Sequence, residues 1–161
     1  MIESMVAASL VVVGLLGLFN LIYNSTVRDS LVIHQLQATY LAAEGIEVVK
    51  NISDADVANG NPWDSGFANT CYYISYNSNL SSLSDTSPTL SFGISPSGEG
   101  VFVPSDDSSL SGLSPSGTLF TRSVCVNVSG DAMAVNSTVN WSEHGANQTT
   151  TLSDIFYNWR P

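Results

Sequence analysis

Hydrophobicity along this chain changes its rhythm twice. From Ser4 through Val27 no residue is charged, and Met5 to Ile22 (MVAASLVVVGLLGLFNLI) is apolar except for Ser9 and Asn20. At about 1.5 Å per residue, that run is only just long enough for a hydrocarbon core of roughly 30 Å. The next stretch, VRDSLVIHQLQATYLAAEGIEVVKNI, continues with helix formers and no proline. Within it Val27, Leu31, His34, Ala38, Leu41, Gly45, Val48 and Ile52 recur at alternating steps of four and three, which puts them on one helical stripe. The pattern predicts one nearly continuous helix from about residue 2 to about residue 53, on the order of 75 Å long. Its first half is apolar all round and its second half amphipathic.

Beyond Asp54 the rhythm shortens. DADVANGNPWDSG is dense in turn formers and ends the helix. Strand-like runs follow at 71–76, 89–94, 101–103, 118–128, 132–141 and 149–156. Phe120, Val124, Val126 and Val128 share one face of the fourth run, as do Val135, Val139 and Trp141 in the fifth, with Gly130 and Asp131 as a turn between them. That predicts an antiparallel hairpin whose apolar face covers the helical stripe from Leu31 to Ile52. The expected fold class is α+β: a long N-terminal helix packed on an antiparallel sheet. Two parts are expected, an apolar helix half over 1–26 and a head over 27–161. The head includes the amphipathic helix half 27–53 and the sheet 71–156. Residues 95–117, rich in Ser, Gly and Pro, are expected to be exposed loops.

Composition narrows the partners. Charged residues are 11% of the 161 positions, and fourteen acids outnumber Arg28, Lys50, Arg122 and Arg160 to give a net charge of −10. Without a basic patch to neutralise phosphates, no nucleic acid is expected on the acidic head. The apolar run has neither a basic leader nor a small-residue cleavage site, so it is expected to be retained as a membrane segment. Glu3 is its one charge, and a carboxylate at a membrane edge is costly unless partnered. The plainer account is an acid favoured by the helix N-terminus, worth about 0.3–1 kcal/mol. Gly14 and Gly17 mark a flexible or closely packed point.

The segment MIESMVAASLVVVGLLGLF, above all its ESMVAASLVVVGLLGL portion, resembles the N-terminal cleavage and methylation segment of type IV pilins and type II secretion pseudopilins. ATYLAAEGIEVVKNISD, GNPWDSGF, GTLFTRSVCV, STVNW and TLSDIFYNW look like later landmarks of the same family, in order, with variable ground between Asn77 and Ser116. The resemblance implies a structural subunit, not an enzyme. A prepilin peptidase cuts such chains before the apolar helix, the new amino terminus is methylated, and the glutamate pairs with a neighbouring subunit's amino terminus. Met1 and Glu3 inherit these assembly roles. Glu3 comes two residues after Met1, where the family glutamate usually comes four after the processed end, so either two residues are missing or the processing site differs. The implied partners are further copies of the chain, joined through their N-terminal helices, and the pilus assembly machinery. The implied location is the cytoplasmic membrane with the head outside, then a surface pilus. A minor pilin or pseudopilin would look much the same. A single-pass membrane-anchored binding protein is the alternative from another class.

In that extracytoplasmic setting Cys71 and Cys125, in two strand-like runs and without a CxxC or histidine neighbour, are expected to form a structural disulfide. The family's usual disulfide staples the C-terminal region, and Cys125 lies well before the end. Seven N-x-S/T sequons occur, at Asn24, Asn51, Asn79, Asn127, Asn136, Asn140 and Asn147. Composition alone generates such triplets, and glycosylation is expected, if anywhere, at the loop-like Asn79 and Asn147. Asp54, Asp56, Asn59, Asn61 and Asp64 offer oxygen ligands but not in EF-hand order, so turn chemistry is favoured over calcium and no metal or other cofactor is expected. His34 on the stripe and His144 in a polar turn have no catalytic motif around them. Trp63, Trp141 and Trp159, with Tyr72, Tyr73 and Phe156, are read as packing rather than as a sugar platform.

Overall fold

A computed structural model describes residues 2–74, 89–94, 100–104, 120–143 and 145–158. Its elements are helix α1 (Ile2–Ala58) and strands β1 (Thr70–Tyr72), β2 (Thr89–Ile94), β3 (Gly100–Pro104), β4 (Phe120–Ser129), β5 (Ala132–Glu143) and β6 (Ala146–Tyr157). The fold is α+β, as the hydrophobic pattern predicts. All strand pairings are antiparallel, in the order β3-β2-β4-β5-β6. β1 pairs with β4 at Val124–Val126, beyond the two residues of β4 that β2 occupies. The chain divides into two compact units, residues 1–35 and residues 36–161. The expected loops at 95–99 and 105–117, and Met1, Asn79, His144 and Trp159, lie outside the described residues.

The helix runs five residues past its expected end, because the acids after Ile52 do not stop it. Termination comes at Gly60, which takes φ +80°. There the Gly60 N–H reaches the Val57 carbonyl at 3.1 Å and the Asn61 N–H reaches the Asp56 carbonyl at 2.9 Å. This is the Schellman pair of bonds, and it satisfies carbonyls that the last turn would otherwise leave open. Pro62 follows and cannot continue a helix.

Within the second unit, α1 lies on one face of the sheet. Ala38, Leu41 and Ala42 form an apolar cluster with Leu90, Phe120, Val139 and Trp141. Val48, Val49 and Ile52 form another with Tyr72, Ile74, Val124, Val126, Met133 and Val135. Phe120 stands edge-on to Phe102, with centroids 5.5 Å apart. The predicted hairpin is present: β4 and β5 pair from Phe120↔Trp141 to Ser129↔Ala132, and Gly130 takes φ +59° in the turn. Burial along the stripe starts at Ala38, whereas Leu31 is 39% exposed.

Between the two clusters lies a polar seam. A Cβ on Gly45 would come within 2.6 Å of Ser137 Oγ and 2.9 Å of Val124 Cγ2, so helix and sheet approach more closely here than a side chain allows. Arg122 lies beside it, 2% exposed. Its Nε and Nη2 donate to the Ile74 carbonyl at 3.1 and 2.7 Å, and Nη1 donates to the Leu41 carbonyl at 2.7 Å. Nη2 also reaches Glu44 Oε1 at 3.3 Å. One guanidinium therefore ties the helix, β4 and the chain after β1 together, and its fork geometry suits that task.

Cys71 and Cys125 are bonded, as expected, between directly opposed residues of β1 and β4 with Cα atoms 3.8 Å apart. Cys71 is exposed, so the bond belongs to the sheet face turned away from α1. Closing a separation of 54 residues is worth about 4 kcal/mol in the chain-entropy account.

Two substitutions test this core by denaturant unfolding of the full chain in detergent. Gly45→Ala is expected to cost about 1–3 kcal/mol through overpacking, although alanine is the better helix former. Arg122→Ala is expected to cost about 3 kcal/mol, because two buried carbonyls lose their donors and a side-chain volume empties. Glu44→Gln, whose side chain is 39% exposed, is expected to cost under about 1 kcal/mol.

Candidate assembly surface

The first unit carries the largest exposed apolar surface among the described residues. Ile2, Met5, Leu10, Val13, Leu16, Phe19 and Tyr23 are each more than 60% exposed, and no residue of the most apolar 18-residue window is buried. By length and composition this part of α1 is able to cross a membrane. Exposed apolar patches of this size mark a surface meant for lipid or protein.

Its polar side chains are arranged accordingly. Ser9 Oγ donates to the Val6 carbonyl at 2.8 Å, and Thr26 Oγ1 donates to the Ile22 carbonyl at 3.1 Å. Asn24 Nδ2 donates to both the Asn20 carbonyl (2.8 Å) and Asn20 Oδ1 (2.7 Å). Back-bonding of this kind satisfies hydroxyls and amides without water, which matters only where water is absent. A Cβ on Gly14 or Gly17 would meet nothing within 4 Å. Among the described residues nothing occupies the room those glycines leave.

Glu3 lies in the first turn of α1 and is exposed. An acid in that turn is favoured by the partial positive charge of the unpaired helix N–H groups. Further along, Val32 and Ile33 are exposed in the first unit, and Leu36 and Tyr40 in the second at 55% and 70%. Of the candidate sugar sites, Asn147 is exposed at the start of β6.

The second unit adds a groove that the sequence reading did not identify. About 370 Å³ in volume, it lies between the last turns of α1 and the end of β6, lined by Lys50, Asp54, Val57, Trp63, Ile155 and Phe156 among others. Ser53 Oγ donates to the Trp63 carbonyl at 2.6 Å and holds that loop against the helix. The signal was the aromatic run at 156–157, which reads equally well as core. The expected turn chemistry is also seen: Asn59, Gly60 and Asn61 close the helix, and Asn61 Nδ2 sits 3.5 Å from Asp56 Oδ1. Among the described residues no three His, Cys, Asp or Glu side chains group so as to hold a metal ion.

Neither a scan against protein-family models nor searches of curated proteins and solved structures finds a match to this chain.

If the apolar unit partitions into lipid, its transfer should be sensitive to charge at its middle. Each lysine at the centre of a spanning helix costs about 2.5–3.5 kcal/mol. The double variant Val12→Lys/Leu16→Lys is expected to move most of the chain from the carbonate-resistant membrane fraction to the soluble or aggregated fraction, while Val32→Lys leaves its distribution unchanged.

Proposed function

We propose that this chain is a subunit of a type IV pilus-like filament, held in the cytoplasmic membrane by its apolar helix half and then assembled through it. One observation carries the reading: a single helix is bare and apolar over its first part and clamped onto a sheet over its last. The bare part needs lipid or like helices around it, and the clamped part fastens a folded head to the same rod. The exposed Val32 and Ile33 of the first unit, with the small residues Gly14 and Gly17, are further surface on which like helices pack.

In this reading Glu3 sets the order of addition. A carboxylate at the apolar end of an incoming subunit seeks the amino terminus of one already in place, and the pairing strengthens as the surroundings become drier. A prepilin peptidase and the membrane assembly machinery are the implied partners. The subunit carries out no chemistry. A minor pilin or secretion pseudopilin has the same parts and differs in abundance.

The groove beside Trp63 supports a second reading, a membrane-anchored binding protein, since it is concave and part apolar with one cation and one carboxylate on its wall.

Electron microscopy and mass spectrometry of sheared surface filaments separate the readings. The wild-type chain is expected as a filament component with a methylated amino terminus. Glu3→Ala should remain in the membrane at wild-type level and fall at least about tenfold in the sheared fraction, the loss of a contact worth 1.4 kcal/mol or more. Trace amounts in wild-type filaments would assign a minor pilin. Absence from every filament would overturn the proposal in favour of the anchored binding protein.

A further inference from the structure

Every asparagine in β4, β5 and β6 begins a sequon: Asn127, Asn136, Asn140 and Asn147. Strand alternation then decides where they point. Val126, Val135, Val139 and Trp141 face the helix and are buried, so their neighbours in sequence face the other way, and all four asparagines are exposed. Each sequon hydroxyl, two residues on, shares the face of its asparagine. Register sets Asn147 opposite Ser142, which makes Asn140 and Asn147 diagonal neighbours about 7–8 Å apart.

This outward face carries no charge. At alternate positions from Thr121 to Ser129, Ala134 to Ser142 and Asn147 to Tyr157 there is no Asp, Glu, Lys or Arg, in a chain of net charge −10. It ends at β6, a twelve-residue strand that lies last in the sheet order. A long edge whose outward face is neutral, with Asp154 the one charge in the strand, invites pairing with other chains unless something covers it.

The four sequons are not equally free. Asn136 Oδ1 accepts from Ser153 Oγ at 2.6 Å, and the hydroxyl of its sequon, Thr138 Oγ1, is 3.0 Å from Thr151 Oγ1. For Asn127 with Ser129, Asn140 with Ser142, and Asn147 with Thr149, the described residues show no side-chain hydrogen bond, and of these three Asn140 and Asn147 lie at the β6 side of the sheet. An acceptor needs its amide nitrogen free to attack and its hydroxyl free for the transferase to hold.

We propose that the outward face of β4–β6 is N-glycosylated, at Asn140 and Asn147, from a polyisoprenoid-phosphate-linked sugar donor. The asparagine Nδ2 bonds to the anomeric carbon as the carbon–oxygen bond to the lipid phosphate breaks. The phosphate leaves with the electron pair, and the amide loses one proton to a base on the transferase. Sugars there cover the neutral face and shield the β6 edge. The inference rests on the proposed function only in placing the head outside the membrane.

The chain is purified from its native cells, reduced and digested with trypsin, which leaves all four sequons on the one peptide 123–161, since the Arg160–Pro161 bond resists cleavage. That peptide is expected to be heavier than its sequence by whole sugar residues. The Asn140→Gln/Asn147→Gln variant should lose the added mass, and Asn136→Gln should keep it. In parallel, spheroplasts are treated with a membrane-impermeant amine reagent and labelling of the single lysine, the exposed Lys50, is scored. An unmodified peptide on a chain labelled at Lys50 overturns the glycosylation and leaves the filament reading standing. Added mass that persists in the double variant overturns the assignment of these two sites. An unmodified peptide on an unlabelled chain overturns both.

Discussion

Helix and sheet in the second unit come closest where the helix gives up a side chain. Gly45 is that place, and its neighbours show why the contact is needed. With Ser137 Oγ and Val124 Cγ2 occupying the space a Cβ would fill, the helix backbone comes near enough for the Leu41 carbonyl to take a hydrogen bond from Arg122. A larger residue at 45 would push the helix outward and stretch that bond. The same guanidinium fixes the chain after β1 through the Ile74 carbonyl, and the disulfide pins β1 itself at Cys125, three residues along β4 from Arg122. The two apolar clusters on either side supply the bulk of the burial, while the seam sets their register. A buried cation surrounded by carbonyls is a poor source of net stability but a strict one of geometry, since any other docking leaves its donors or the carbonyls unpaired.

The first unit solves the opposite problem. None of its most apolar window is buried among the described residues, so each polar side chain within it is best satisfied on its own helix. Ser9, Asn24 and Thr26 all bond back by three or four residues, a device that costs a little helix regularity and saves a larger desolvation penalty. Glu3 has no such recourse, because a carboxylate accepts but does not donate, and the free N–H groups of the first turn are all the helix offers it. That asymmetry makes Glu3 the one group in the segment whose satisfaction improves with an external cation.

Much of the fold was legible because it rests on periodicity. Steps of three and four marked Leu31 to Ile52 as the covered stripe, of which the structure buries the part from Ala38 on, and alternation marked Phe120, Val124, Val126, Val128, Val135, Val139 and Trp141 as the covered sheet face. Arg122 and Ser137 have the same parity and were passed over, since a reading that counts apolar residues does not look for a buried arginine. The helix end was set too early for a similar reason: acids at 54 and 56 weaken a last turn, but only the left-handed Gly60 closes it. Gly45 appeared on the stripe, yet its closeness to the sheet is a tertiary fact that no local pattern encodes. The groove beside Trp63 joins residues about a hundred positions apart, and its one local signal, the aromatic run at 156–157, reads equally well as core. The sequons were visible as triplets; what alternation along known strands adds is that four of them share one solvent face.

Whether the apolar helix stays in lipid or leaves it cannot be decided by hydrophobicity, and the reason is physical. Acyl chains are as apolar as leucine, so moving the segment from bilayer to helix bundle gains almost nothing from burial at about 25 cal/mol per Å², a figure that applies to removal from water. Assembly therefore has to draw on terms that lipid does not offer: close packing at small residues, pairing of a stranded charge, and contacts between heads. Gly14 and Gly17 leave room that nothing among the described residues occupies, Glu3 is a carboxylate at the apolar end of the helix, and Leu36 and Tyr40 are exposed on the helix of the second unit. An anchor that stays in lipid needs none of the three, whereas for a helix that assembles with copies of itself they are the terms on which it draws.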